Sequence, residues 1–169
     1  MAKAREIPGL RADQSYAEAA ATIVSVRAEE VSEQARGVLD TGDIERVHDM
    51  RVATRRLRAA LEVFEACFPR KAFRRTLRDV KRLADGLGER RDRDVAIVAL
   101  NGFNEQMPAA DRKGVASLID RLRDEQAEAN LELAPLVEAR RLEELRERVG
   151  ELVEFVRAPE RLAAGDGAR

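Results

Sequence analysis

Apolar positions recur every three to four residues along most of the chain, and no stretch alternates strictly, so the pattern predicts helices and no strands. A first helix is predicted over 13–40, where Ala17, Ala20, Ala21, Val24, Val31, Ala35 and Leu39 keep helical spacing. Thr41, Gly42 and Asp43 stop it, with Asp43 placed to cap the next. A second helix, 44–68, puts Met50, Ala53, Leu57, Leu61, Phe64 and Phe68 on one side. His48, Arg51, Arg55 and Arg58 fall on the polar side, with Arg56 at its flank. Pro69 breaks this helix. A third, 70–87, buries Phe73, Leu77, Val80, Leu83, Ala84 and Leu87. Its other side carries Arg70, Arg74, Arg75, Arg78, Lys81 and Arg82, with Asp85 following. Gly86 and Gly88 read as its end. The charged run 89–94 then leads into a fourth helix over 92–107. Pro108 separates that helix from a fifth over 109–133, and a sixth spans 141–156.

Short loops between long helices make neighbours antiparallel. The expected fold is therefore all-α: an antiparallel bundle of about six helices with a basic face or cavity. Residues 1–12 read as a disordered lead-in, 13–157 as one helical domain, and 158–169 as a frayed tail. At 169 residues the chain is long enough to bury one substantial core. One cysteine, Cys67, excludes an internal disulfide framework and fits a reducing, cytoplasmic setting. No apolar run approaches the roughly 20 residues a membrane span needs, and the N-terminus is too polar for a secretory signal.

Charge changes the picture more than composition does. The net charge is only -1, yet residues 46–93 hold 15 basic and 7 acidic residues, a local excess of eight. The flanks are acidic, net -4 over 1–45 and net -5 over 94–169. A basic centre in a neutral chain attracts a polyanion at one place. Arginine outnumbers lysine 13 to 2 in that centre, and a guanidinium forms bidentate, charge-assisted bonds to phosphate oxygens. The competing reading is a solvated surface laced by salt bridges to Asp49, Asp79, Asp85 and Asp92.

The string from His48 through Asp49, Met50, Arg51, Val52, Ala53, Thr54, Arg55, Arg56 and Leu57 to Arg58 resembles the first motif of the CHAD family, the conserved histidine α-helical domain. Lys81, Arg82, Asp85 and Gly88, followed by Arg91, Asp92, Asp94 and Val95, are similar to its second and third motif positions, in order and spacing. The resemblance covers residues 12–156. It implies a helical bundle whose basic cavity binds inorganic polyphosphate, and in some members a location at polyphosphate granules. By the same resemblance, His48, Arg51, Arg55, Arg56, Arg58, Lys81, Arg82 and Arg91 take the family's polar roles. Arg74, Arg75 and Arg78 extend the face by spacing. A full family domain repeats the His/Arg-rich helix in a second bundle. This chain has one histidine and one such motif, so a homodimer that rebuilds the missing half is expected.

A lone imidazole is a poor start for a metal site, so no metal, cofactor or catalytic residue is expected. His48 instead donates a hydrogen bond to a phosphate or a nearby carboxylate. Asp92 and Asp94 orient arginines or cap the fourth helix. The reading is a non-catalytic polyphosphate-binding module. The alternatives are a general polyanion or nucleic-acid binder, or an accessory subunit of an enzyme of polyphosphate or nucleotide metabolism. Single-strand binding wants aromatics among the basic residues. The aromatics here lie on apolar stripes, which disfavours nucleic acid. An enzyme would need a carboxylate metal cluster or a Gly-rich phosphate loop, and neither pattern is visible.

Overall fold

The structure, a computed structural model, describes residues 4–158. Five α-helices and no strand occur among them: α1 (Tyr16–Glu33), α2 (Ile44–Val63), α3 (Arg70–Gln106), α4 (Arg112–Leu133) and α5 (Ala139–Arg157). Single 3₁₀ turns follow α2 (Glu65–Cys67) and α4 (Ala134–Leu136). An all-α bundle is thus borne out, with five helices where about six were expected. The terminal tail expected over 158–169 lies outside the described residues beyond Ala158.

The difference in count comes from α3. The predicted third and fourth helices are one helix of 37 residues, about 55 Å long at 1.5 Å per residue. Gly86 and Gly88 do not end it. Each glycine inside a helix costs up to about 1 kcal/mol against alanine, and packing explains the presence of Gly86. A Cβ on Gly86 would stand 3.0 Å from Leu136 Cδ1 and 3.4 Å from Leu133 Cδ1, so the bare backbone admits the end of α4. Gly88 lies beneath the Arg51 guanidinium, with its Cβ position 3.8 Å from Nε. The charged run 89–94 is helix interior, so Asp92 does not cap a fourth helix. Asp43 stands at the start of α2 without a side-chain cap bond; its carboxylate pairs with Arg46 Nε at 2.9 Å instead. At α1 the cap is Ser15, which forms a reciprocal capping box with Glu18.

α3 is the central member. It packs against α2, α4 and α5, while α1 packs against α2 and α5. One continuous core gathers Val24 and Val31 of α1, Met50, Leu57 and Leu61 of α2, Phe73, Val80 and Leu87 of α3, and Val149 and Leu152 of α5. Cross-links fix the antiparallel order. Tyr16 Oη donates to the Val63 carbonyl at 2.7 Å, and Glu30 accepts from Arg56 at 2.6 Å. The segment before α1 is tied down through Arg5, which pairs with Glu29 and Glu33.

Beyond Leu87, α3 leaves this core and packs along α4. There Arg90 is 0% exposed and Asp94 1% exposed. They form an ion pair at 3.1 Å. Gln126 donates to Asp94, Arg90 Nη1 donates to Asn130 Oδ1 at 3.4 Å, and Asn130 Nδ2 reaches the Leu39 carbonyl at 2.9 Å. Burial pushes the Asp94 carboxyl up, against the Gln126 hydrogen bond and the Arg90 charge. Removing one member of such a pair leaves a buried charge uncompensated. Asp94→Ala is expected to lose about 3–5 kcal/mol of stability, while Arg90→Met with Asp94→Leu costs less than either single change. Urea unfolding of the three variants checks this.

Glu30, 3% exposed, is the second buried charge and the pin between α1 and α2. It accepts from Arg27 at 2.7 Å and Arg56 at 2.6 Å. Burial alone would push its carboxyl up, but the two guanidinium hydrogen bonds and their charges hold it below the usual 4.5. A depressed folded value stabilises the protein above the unfolded one. That contribution is present above about pH 4.5 and lost as pH falls through the folded value. Glu30→Gln is expected to cost about 2–3 kcal/mol at neutral pH and to flatten the acid side of the stability profile, read by denaturant unfolding across pH 3–7.

Candidate functional site

The basic residues of α2 and α3 meet because the Phe64–Pro69 connection turns the chain back on itself. Arg51 lies over Gly88, Arg58 and Lys81 share Glu62, and Arg91 reaches the first turn of α2. Residue numbers rise along one helix as they fall along the other, as antiparallel packing requires. Between the helices runs an open cleft of about 340 Å³, with Arg51, Arg55 and Arg58 on the α2 wall. Its α3 wall holds Ala84, Asp85, Gly88, Glu89 and Asp92. A second depression of about 350 Å³ continues along α3, lined by Arg74, Leu77, Arg78, Lys81, Arg82 and Asp85. Asp85 is common to both.

Charge is uneven along this face. Around Asp85, Glu89 and Asp92 the carboxylates offset the α2 arginines. Toward the start of α3 they do not: residues 74–82 hold five basic residues and one acidic residue, Asp79. Among the described residues, Arg51, Arg55, Arg74, Arg75, Arg78 and Arg82 have neither an ion pair nor a side-chain hydrogen bond. The four aspartates that could have neutralised the face do not pair with these arginines. Asp79 instead takes Arg148 of α5. Most other arginines are engaged, including Arg27, Arg46, Arg90, Arg93 and Arg146.

Not every residue predicted for the site belongs to it. Arg56 points toward α1 and is held by Glu30. Arg91 donates to the Ile44 carbonyl at 2.9 Å and pairs with Glu45 at 3.4 Å, so it fastens α3 to the start of α2. Both have their guanidinium groups committed to the fold. Asp94 orients the buried Arg90 and lies away from the cleft. Arg58 and Lys81 stay on the face but share one carboxylate: Glu62 Oε1 accepts from Arg58 Nε at 3.0 Å and stands 3.5 Å from Lys81 Nζ. The Arg58 hydrogen bond leads the effects that hold the Glu62 carboxyl below its usual value.

His48 is half-buried one turn before Arg51 on the same stripe. Glu45, His48 and Asp49 bring one potential donor atom each within 4.8 Å of one another. Structural metal sites use four such donors, and here Glu45 is already engaged by Arg91. Of the three, Glu45 takes part in the fastening between α2 and α3. Cys67 is buried, and its desolvation pushes the thiol up, which leaves it unreactive.

The aromatics stay out of the site. Phe64, Phe68 and Phe73 are buried, and the Phe68 and Phe73 rings stack with centroids 6.3 Å apart. No aromatic lines either depression. No helix among the described residues is long and apolar enough to cross a membrane. A search of curated proteins returned no match. Among protein-family models, the CHAD domain matches residues 22–169, nearly the whole chain and all of the basic face. The motif at His48–Arg58 and the two that follow on α3 therefore have the origin their spacing suggested, and the chain belongs to the CHAD domain family.

Proposed function

We propose that this protein is a non-catalytic module that binds inorganic polyphosphate along the α2–α3 face. The observation that carries the reading is the set of unpaired guanidinium groups at Arg51, Arg55, Arg74, Arg75, Arg78 and Arg82. Uncompensated cations at i, i+4 spacing repel one another, so the face is built for an anion that arrives from outside. A linear chain of phosphates matches arginines repeated along two helices, and each charge-assisted contact adds to the last. Polyphosphate binding is also what CHAD family membership suggests. The absence of aromatics at the face favours it over single-stranded nucleic acid, which needs stacking platforms. His48 and Lys81 add donors at the edges. The same binding would account for a location at cytoplasmic polyphosphate granules. A homodimer would bring two such faces together, and light scattering that gives a monomer with and without ligand would exclude this part.

A charge-assisted contact is worth about 1–2 kcal/mol, and about 1.4 kcal/mol is tenfold in affinity. Arg55→Ala and Arg82→Ala are each expected to weaken long-chain polyphosphate binding about tenfold with the melting temperature unchanged. Glu62→Gln, which frees Arg58 and Lys81 from their shared carboxylate, is expected to strengthen it. Calorimetric titration measures all three. Unchanged affinity in both arginine variants would remove the site. Competition by excess duplex DNA, with equal salt dependence, would recast it as a general polyanion surface.

A further inference from the structure

The far side of α3 carries a third depression, between α3 and α5. Leu83, Leu142 and Leu145 form its apolar floor, and Arg82, Arg141 and Arg148 stand on its walls. Arg82 also lines the α3 depression on the other side, so one unpaired guanidinium stands between the two. The third depression is small, about 50 Å³, and neighbouring depressions share a wall residue, Asp85 for the first two and Arg82 for the last two.

α5 lies in the acidic flank of the chain, yet two of its arginines reach a cleft. Glu147, Glu151 and Glu154 are exposed, while Arg141 and Arg148, two turns apart, line the cleft with α3. Glu144 is the shared counter-ion. It accepts from Arg141 at 2.9 Å and Arg140 at 3.2 Å, and stands 3.9 Å from Arg148. Asp79 holds Arg148 from the α3 side. Three guanidinium groups, those of Arg140, Arg141 and Arg148, therefore share two carboxylates, and Arg82 beside them is unpaired. The surplus lies over an apolar floor, where an ionic contact is screened less than at an open surface.

We propose that the polyphosphate track does not end on α3 but crosses it at Arg82 and continues into the α3–α5 cleft, where Arg141 takes a further phosphate of the same chain. This rests on the polyphosphate reading above. A phosphate oxygen replaces Glu144 as the partner of Arg141, exchanging one anion for another at a half-exposed guanidinium. Arg148 stays tied to Asp79 and sets the far wall.

The test uses Arg141→Ala, with Arg157→Ala as a control that removes the same charge at the far end of α5. Both are titrated with long-chain polyphosphate over a range of salt concentrations, beside wild type and Arg55→Ala. Arg141→Ala is expected to weaken binding about threefold to tenfold and to lower the slope of log affinity against log salt by about one, the mark of one lost phosphate contact. Arg157→Ala is expected to keep both near wild type. Equal behaviour of the two α5 variants, or a loss in Arg141→Ala without a change of slope, overturns the extension while leaving the α2–α3 site in place. Wild-type behaviour in Arg55→Ala overturns the underlying reading instead.

Discussion

The hydrogen-bonded backbone of α3 runs without interruption from Arg70 to Gln106, and the rest of the molecule is arranged on it. Its first half presents an apolar face to α2 and α5 and a basic face to solvent. Its second half leaves the core and is held to α4. A break at Gly86 or Gly88 would let the α4-bound half move relative to the α2–α3 face. The helix runs on through both glycines. One lets Leu133 and Leu136 approach, and the other lies under Arg51. The backbone entropy that Gly86 costs is offset by that approach.

Burial decides which charges hold the fold and which stay available. Glu30 and Asp94 are each almost fully enclosed, and each commits an arginine that spacing alone would leave free. The exposed arginines of α2 and α3 have no such partner. A buried carboxylate cannot remain unpaired without a cost of several kcal/mol, whereas an exposed guanidinium keeps its water at little cost. Structural pairing therefore drains the interior side of the stripe and spares the outer side.

Much of this is legible in the order of the amino acids alone. The apolar stripes of α2 and α3, their Pro69 separation and the basic side opposite follow from periodicity. What periodicity misses has identifiable causes. Gly86 and Gly88 carry the local signal of a helix end, and only contact with α4 overrides it. Helical spacing gives the angle at which Arg56 and Arg91 leave their helices but not what waits there. Glu30 and the Ile44 carbonyl lie 26 and 47 positions away along the chain. Charge averaged over a long block hides Arg141 and Arg148, because the segment 94–169 is net acidic as a whole.

The row of unpaired guanidinium groups has a thermodynamic consequence for the chain itself. Folding draws like charges together on rigid helices, so the native state carries a repulsion that an extended chain relieves. Any multivalent anion that gathers on the row relieves it too, and by mass action favours the folded form over the unfolded one. The melting point of this protein is then expected to depend on its ionic surroundings as well as on its core, and a polyanion that bound the row would act as a folding ligand.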